Sequence, residues 1–264
     1  MTPRAEHLIA RLKEDLGFSG LRLLHEDLRP LSWSKNILLT GQDGGGRRLF
    51  IKSGVTEGLY RHEFDYAEAF YRAAPELSAQ PLYWRDDEQL RFIASAYVEG
   101  TPLDEWMEGG PSAESKGCLL EDLFRIFRAF QACDIIHRDI RPQNFMVCGG
   151  RLIIIDFQLA VSHTAYREPD FFRTERGVLG SLGEDFAYGC LMWDDAWSFL
   201  KVLEYVGKEA LYAARYDDMH AAISAAVGRR IIRYPQRDRQ FWTRFYRQSK
   251  LLPFISLTAA RRNE

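Results

Sequence analysis

The stretch "IIHRDIRPQNFMV", residues 135–147, decides the fold, because it places polar side chains of definite chemistry between apolar segments. Asp139 and Asn144 lie five residues apart within it, and Asp156 follows twelve residues after Asn144, at the end of the apolar run "RLIIID" (151–156). Polar groups among buried neighbours cost free energy unless they are paired or used. Carboxylate and amide oxygens also suit Mg²⁺, and a carboxylate can accept a hydroxyl proton. The three residues are therefore candidates for one site.

Length and composition limit the class of protein. The chain has 264 residues, of which 46% are hydrophobic and 27% are charged, enough for one large domain or two lobes with a sizeable core. No apolar run approaches the roughly 18 residues of a membrane span, and the charged start "MTPRAEHLIARLKEDLGF" lacks the apolar region of a signal peptide. The four cysteines show no CxxC spacing, which favours free thiols in a reducing compartment. These features predict a globular cytoplasmic protein.

The hydrophobic patterns change character along the chain. A helical spacing over residues 4–16 is followed by runs of strand composition and by one helical segment, and the later part is mainly helical. The strand-like runs are "NILLT" (36–40), "RLFIKS" (48–53), "PLYW" (81–84) and "LRFIASAYV" (90–98), and the helical segments are 59–74 and 118–133. This order predicts an α+β chain in two lobes, a small β-rich N-lobe over residues 1–98 and a mainly helical C-lobe over residues 99–264.

The opening stretch resembles the catalytic loop of the protein-kinase-like superfamily. Asp139 and Asn144 match the H-R-D-x-x-x-x-N pattern, and Asp156 with the following Phe matches the start of the metal-binding segment. The resemblance implies a bilobal fold with ATP between the lobes. It implies that Asp139 accepts the proton of the acceptor hydroxyl and that Asn144 and Asp156 bind Mg²⁺. His137 and Arg138 would support the loop.

Charged residues elsewhere match further parts of the resemblance. Lys52 ends a strand-like run, where the family has a lysine that contacts the ATP phosphates. Its usual partner is a Glu on the next helix, and Glu63 and Glu68 are both available; Glu63 is preferred because it lies nearer the helix start. Arg141 stands two residues after Asp139, where many protein kinases have a phosphate-contacting Lys. We expect Lys52 and Arg141 to contact phosphates.

Two more segments fall in the expected order. "SAYVEG" (95–100) resembles the hinge between the lobes, where the backbone of Ala96 and Val98 would contact adenine. "DDAWSF" (194–199) resembles the segment whose Asp, here Asp195, anchors the catalytic loop. The ordered motifs, more than any one of them, indicate a kinase-like chain that extends over roughly residues 30–200.

The chain departs from the protein-kinase pattern at the phosphate loop and the metal-binding segment. The position of the glycine-rich loop is occupied by "RPLSWSKN" (29–36), in which Ser32, Ser34 and Asn36 would donate hydrogen bonds to the nucleotide. This segment is similar to the Ser-Asn loop of aminoglycoside and choline kinases. Gln158 stands where the metal-binding segment usually has Gly, which removes backbone freedom but not the metal ligand.

Other departures concern the acceptor. No A-P-E sequence occurs within residues 159–194, and the C-lobe is short. The region 176–199 is reminiscent of bacterial lipopolysaccharide core sugar kinases, which implies transfer to a lipid-linked glycan at the inner face of the cytoplasmic membrane. Two alternatives stay open: a Ser/Thr protein kinase, and a pseudokinase that keeps the fold without turnover.

The C-terminal part of the sequence is basic although the chain has a net charge of −2. Residues 229–254 interleave eight basic residues with aromatic residues, a composition that suits an anionic membrane surface or a phosphorylated glycolipid. The same pattern fits a last helix that packs its aromatic side chains on the C-lobe. Nucleic acid is the less favoured partner, since the whole chain is acidic.

Overall fold

The computed structural model describes residues 2–26, 36–166 and 192–233. Ser32, Ser34 and residues 234–254 of the basic segment therefore lie outside the described residues, as does most of the region 176–199. Among the described residues, no helix combines the length and apolar character needed to cross a lipid bilayer.

The first lobe is built on a five-stranded antiparallel sheet in the order β1-β2-β3-β5-β4. Its elements are α1 (Pro3–Leu16), β1 (Ser19–Glu26), β2 (Ile37–Gln42), β3 (Arg48–Ser53), α2 (Leu59–Ala73), β4 (Pro81–Asp86) and β5 (Arg91–Ala96). A single 3-10 turn, Pro75–Leu77, follows α2.

Alternation along the strands gives the sheet two different faces. Ile37 and Leu39 of β2 are buried against α1, together with Leu49 of β3. Their neighbours Leu38 and Phe50 point to the opposite face, where they line a cavity. The sheet therefore separates the N-lobe core from a site on its other side.

The second lobe is helical around a small sheet. Its elements are β6 (Thr101–Pro102), α3 (Leu103–Glu108), α4 (Ala113–Ala132), β7 (Ile135–Ile136), β8 (Phe145–Cys148), β9 (Arg151–Ile154), β10 (Val161–Ser162), β11 (Met192–Trp193), α5 (Asp195–Val206), α6 (Ala213–Ser224) and β12 (Ile232–Arg233), with 3-10 turns at Pro142–Asn144 and Ala210–Tyr212. The buried face of α4 forms the centre of the core with Phe199 of α5 and Met219 of α6. This core supports the hairpin of β8 and β9.

The end of α4 is closed by a residue from much later in the chain. The guanidinium of Arg230 donates hydrogen bonds to the carbonyl oxygens of Phe130, Cys133 (2.8 Å) and Ile135 (3.2 Å). The last carbonyl groups of a helix have no partner within the helix, and a cation there also interacts favourably with the helix dipole. Arg230 therefore fixes the chain just where it enters the stretch 135–147.

The predicted α+β, bilobal class is confirmed, and two details differ from the sequence analysis. The strand β1 was not predicted; it lies at the sheet edge, and none of its side chains is buried. Only the apolar run 151–156 was recognised in the sequence, whereas β8 and β9 form a two-stranded hairpin because Phe145 and Val147 also carry a buried face. The last strand of the first lobe, β5, ends at Ala96, and the next strand, β6, pairs with β8 of the second lobe.

The turn between β2 and β3 is organised by the buried Asp43. Its carboxylate accepts hydrogen bonds from the backbone N–H of Gly45 and of Arg47 (both 2.9 Å), from Arg47 Nε (2.7 Å) and from the Tyr83 hydroxyl (2.9 Å). Burial alone would raise the pKa of Asp43, but the hydrogen bonds from Arg47, Tyr83 and Gly45 outweigh it and lower the pKa to about 2.

Replacing Asp43 with Asn should therefore change how stability depends on pH. Because the folded-state pKa lies below the ordinary value of 3.8, the ionised form stabilises the fold above about pH 4, and this contribution is lost as the pH falls toward about 2. We expect the difference in unfolding free energy between the unchanged chain and Asp43→Asn to be constant from pH 5 to 7 and to shrink toward pH 3, measured by urea denaturation. An equal difference at pH 3 and pH 6 would contradict this role.

Candidate active site

A cavity of about 400 Å³ lies between the lobes and contains most of the predicted site. Leu38 and Phe50 of the N-lobe sheet line one side, and Met146 and Ile154 of the β8–β9 hairpin line the other. Its volume is in the range of small-molecule sites, and its apolar walls suit a flat aromatic group.

The predicted hinge residues lie at one edge of this cavity. Ala96 and Val98 both line it, directly after β5. The backbone N–H of Ala96 donates to the carbonyl oxygen of Gln80 (2.8 Å), and that of Tyr97 donates to Arg48 (3.0 Å). These bonds attach the start of the hinge to the N-lobe sheet.

Lys52 lies at the opposite, polar side of the cavity and contacts three oxygen atoms. Its Nζ is 2.7 Å from Glu63 Oε1, 2.9 Å from Asp156 Oδ1 and 3.0 Å from Gln158 Oε1. Of the two glutamates on α2, Glu63 is thus the one that pairs with Lys52, whereas Glu68 pairs with Arg72 on the same helix. The contacts connect β3, α2 and the metal-binding segment through one ammonium group.

Burial and charge act in opposite directions on this group of residues. Burial raises the pKa of Glu63 to about 7, although the Lys52 ammonium partly opposes the shift. For Asp156, burial also raises the pKa, but the charge and hydrogen bond of Lys52 prevail and the pKa falls below its ordinary value. Asp156 is therefore ionised at neutral pH, as a metal ligand must be.

Asp139 and Asn144 meet in the catalytic loop. Asn144 Nδ2 donates to both the backbone oxygen and Oδ2 of Asp139, each at 2.8 Å. The guanidinium of Arg141 approaches the other carboxylate oxygen, with Nε 3.4 Å from Oδ1, and its side chain is partly exposed. The three residues thus form one contiguous polar group, in which Asp139 is the only acid.

Asn144 and Asp156 offer oxygen atoms of the kind that fit a magnesium ion. The nitrogen of the Asn144 amide is used by Asp139, so the amide oxygen is the end that is left for a cation. Asp156 adds an ionised carboxylate that lines the cavity. Mg²⁺ prefers hard oxygen ligands from one or two side chains and completes its shell with phosphate and water.

Asp195 holds the catalytic loop from the C-lobe, as the sequence predicted. Its carboxylate accepts the backbone N–H of His137 (2.5 Å) and of Arg138 (3.0 Å) from the first turn of α5. Burial raises the pKa of Asp195 to about 6, against the lowering effect of these hydrogen bonds.

His137 supports the loop and does not exchange protons at neutral pH, because burial lowers its pKa to about 4. Its Nε2 lies 3.2 Å from the carbonyl oxygen of Ile155, so this nitrogen carries the proton. The unprotonated Nδ1 then accepts the backbone N–H of Asp139 at 3.3 Å. One neutral ring therefore connects the catalytic loop to the residue before Asp156.

The backbone adopts an uncommon conformation at two positions of the site. Arg138 (φ 68°) and Asp156 (φ 64°) are the non-glycine residues with positive φ in the described residues. Such conformations cost of order 1–3 kcal/mol and persist only where the surroundings impose them. Both residues lie next to groups with predicted chemical roles, which indicates that their orientation matters for the site.

The helix α2 is attached to the segment that follows Asp156. The ring of His62 hydrogen bonds to the carbonyl oxygen of Ala160 (2.7 Å), and the Tyr66 hydroxyl accepts the backbone N–H of Ser162 (2.8 Å). Phe157 is buried with its ring centroid 5.0 Å from that of His137. These contacts hold Glu63 beside Lys52.

Some functional candidates were not recognised in the sequence or differ from their expected contacts. Gln158 was noted only as a missing glycine, and no sequence signal indicated its contact with Lys52. Asn36 lines the cavity as expected, but its Oδ1 accepts the hydroxyl of Tyr60 (3.0 Å), so that Nδ2 is the atom left to meet a ligand.

Comparisons with known proteins agree with this geometry in part. No protein-family model matches the chain. The chain is 25% identical over 177 residues to the serine/threonine-protein kinase AfsK of Streptomyces coelicolor, covering 59% of this chain and 22% of that protein. It is 26% identical over 166 residues to AfsK of Streptomyces griseus, covering 55% of this chain and 21% of that protein. The chain thus spans about a fifth of the length of the curated relatives it matches.

A solved structure of Rv3197 with erythromycin from Mycobacterium tuberculosis superimposes with a TM-score of 0.46 at 18% identity, over 61% of this chain and 52% of that chain. The described residues have the α+β, bilobal architecture that the sequence predicted, and part of the chain is similar in sequence to the two serine/threonine-protein kinases.

Proposed function

We propose that the chain is an ATP-dependent phosphotransferase that moves the γ-phosphoryl group to a hydroxyl. The observation that carries the proposal is that Lys52 pairs with Glu63 and Asp156 at the wall of a cavity with apolar sides. Asp139 and Asn144 meet in the loop that is bonded to the residue before Asp156, since the carbonyl oxygen of Asn144 accepts the N–H of Ile155. Phosphoryl transfer asks the protein mainly for positioning and for charge stabilisation.

Each residue has a role that its contacts support. Asp139, oriented by Asn144, would accept the proton of the acceptor hydroxyl, and the ammonium of Lys52 would contact the ATP phosphates. Arg141 is exposed enough to contact a phosphate near Asp139. Asn144 and Asp156 would hold Mg²⁺, which supplies positive charge to the phosphate oxygens.

We propose a lipopolysaccharide core sugar as the acceptor. The support is the sequence: the serine-rich phosphate loop, the missing A-P-E and the basic, aromatic segment 229–254. Basic residues near a membrane gain free energy from anionic lipids, so a lipid-linked acceptor would place the enzyme at the inner membrane face.

Transfer to protein side chains is the second candidate, and the similarity to two Ser/Thr-protein kinases favours it. A pseudokinase is the third. The pseudokinase alternative is favoured by the hydrogen bond from Lys52 to Gln158 in a chain without the usual glycine-rich loop. The ionised Asp156 and the Lys52–Glu63 pair favour turnover.

The acceptor is tested by incubating the purified chain with Mg²⁺ and γ-labelled ATP and one of two substrates, a lipopolysaccharide extract or a mixed protein extract. We expect label in the glycolipid, and we expect the label to be absent with Asp139→Ala, which removes the proton acceptor. A nucleotide-binding measurement on both chains is the control, because Asp139→Ala should still bind Mg·ATP.

The other outcomes separate the candidates. Label in protein, lost in the variant, would replace the sugar-kinase proposal with the protein-kinase one. Metal-dependent ATP binding without transfer to either extract would favour the pseudokinase. Absence of ATP binding would contradict all three.

A further inference from the structure

Gln158 contacts both Lys52 and Asp156, the charged residues assigned to the phosphates and to the cation. It lies two residues after Asp156, is buried, and directs its amide oxygen to Lys52 Nζ at 3.0 Å, across 106 residues of sequence. Its backbone N–H donates to Asp156 Oδ1 at 3.3 Å. A glycine at this position would keep the backbone contact and lose the contact with Lys52.

The charge balance explains why a neutral acceptor suits this position. An ammonium group has three N–H donors, and Lys52 faces three oxygens, from Glu63, Asp156 and Gln158. Two of them are carboxyl groups, which already match the single positive charge of the ammonium. A third carboxylate would add charge that repels a triphosphate, whereas an amide oxygen adds none.

Nucleotide binding would redistribute these contacts. Asp156 cannot give the same oxygen to a cation and to Lys52 without weakening one of the two bonds. Glu63 and Gln158 do not have this conflict, since both are buried and neither is assigned to the cation. With Asp156 as a cation ligand, two oxygens, those of Glu63 and Gln158, would still hold Lys52.

We propose that Gln158 is a positioning residue for Lys52: its amide oxygen keeps the ammonium directed at the phosphates while Asp156 serves the cation. This inference rests on the proposed function, since it concerns the same nucleotide site. It predicts that the contribution of Gln158 to nucleotide binding passes through Lys52 and disappears when Lys52 is removed.

The test is a double-mutant cycle that measures Mg·ATP affinity by calorimetry. Gln158→Met keeps the length of the side chain and removes the acceptor, and Lys52→Met provides the second background. We expect Gln158→Met to weaken Mg·ATP binding about 10-fold in the unchanged chain, as for loss of a hydrogen bond to a charged group, and less than about 2-fold in the Lys52→Met chain. Equal weakening in both backgrounds would mean that Gln158 only fills space, and would overturn the proposal.

If Lys52→Met does not fold, a second variant of Gln158 tests its positioning role. Gln158→Glu keeps the shape and the acceptor but adds a negative charge, so it should weaken Mg·ATP binding more than Gln158→Met does. Weakening that is equal to or smaller than that of Gln158→Met would overturn the inference. If the unchanged chain binds no Mg·ATP, both the proposed function and the positioning role of Gln158 are contradicted. If the unchanged chain binds Mg·ATP and the two Gln158 variants bind it as tightly, only the positioning role is contradicted.

Discussion

Replacing Lys52 with Met should lower kcat/KM for phosphoryl transfer by about 10²- to 10³-fold, the usual cost of removing one preorganised charge from a reaction centre. It should also lower the free energy of unfolding by about 3–5 kcal/mol, because it breaks a buried ion pair and leaves the carboxylate of Glu63 without its cation. Initial rates with labelled ATP and urea denaturation measure the two effects separately.

The pH dependence of this variant identifies the cause of its instability. Burial already raises the pKa of Glu63 to about 7, and removal of the ammonium raises it further. Below about pH 7 Glu63 is protonated in both folded chains, so the stability deficit of the variant relative to the unchanged chain should grow as the pH rises through about 7. A stability deficit that is constant from pH 5 to 8 would contradict this explanation.

A lysine at the surface supplies the matched control. Lys208 Nζ contacts both carboxylate oxygens of Asp217 at 2.8 and 2.7 Å, but both side chains are about half exposed. Such pairs contribute roughly 0–1 kcal/mol, so Lys208→Met should change neither stability nor rate noticeably. The two lysines form ion pairs of similar length. The difference between the effects of the two substitutions therefore reports the contribution of burial.

Replacing Asp195 with Ala should destabilise the fold by about 2–6 kcal/mol, because it leaves two buried backbone N–H groups, those of His137 and Arg138, without acceptors. It should also reduce the activity of the molecules that stay folded, since Asp139 directly follows these two residues. Thermal unfolding and the rate per folded molecule are the two measurements.

The adjacent Asp194 is the control for the predicted loss of activity per folded molecule in Asp195→Ala. Its carboxylate accepts the N–H of Ala196 (2.9 Å) and of Gly228 (2.5 Å) and thereby caps α5, without contact to the catalytic loop. Asp194→Ala should lower stability as well but keep the rate per folded molecule. Equal rates in the two variants would mean that Asp195 contributes stability alone.

The sequence predicted those parts of the site that depend on spacing along the chain. The positions of Asp139, Asn144 and Asp156 follow from one local pattern. Asp139 and Asn144 meet because the loop between them is short, and Asp156 comes soon after β9 of the following hairpin. The choice of Glu63 over Glu68 followed from its position near the helix start, and the structure gives its reason: only Glu63 lies on the face of α2 that is turned to β3.

The sequence could not predict contacts that depend on how distant elements approach one another. Gln158 and Lys52 are 106 residues apart, and nothing in the composition around either residue indicates the other. The strand β1 was missed for another reason: it is an edge strand without a fully buried side chain, and its alternation is limited to Leu21 and Leu23 on either side of Arg22.

The contact of Arg230 with the end of α4 has a consequence for the order in which the protein folds during synthesis. Phe130 is synthesised 100 residues before Arg230. The end of α4 therefore lacks its hydrogen bonds from Arg230 while most of the C-lobe is being translated. The N-lobe sheet, whose pairings join neighbouring segments, can form in that interval. A fragment that stops short of Arg230 would keep the sheet and α4 but lose the bonds that fix the entrance to the catalytic loop, so the boundary of any shortened chain belongs after β12.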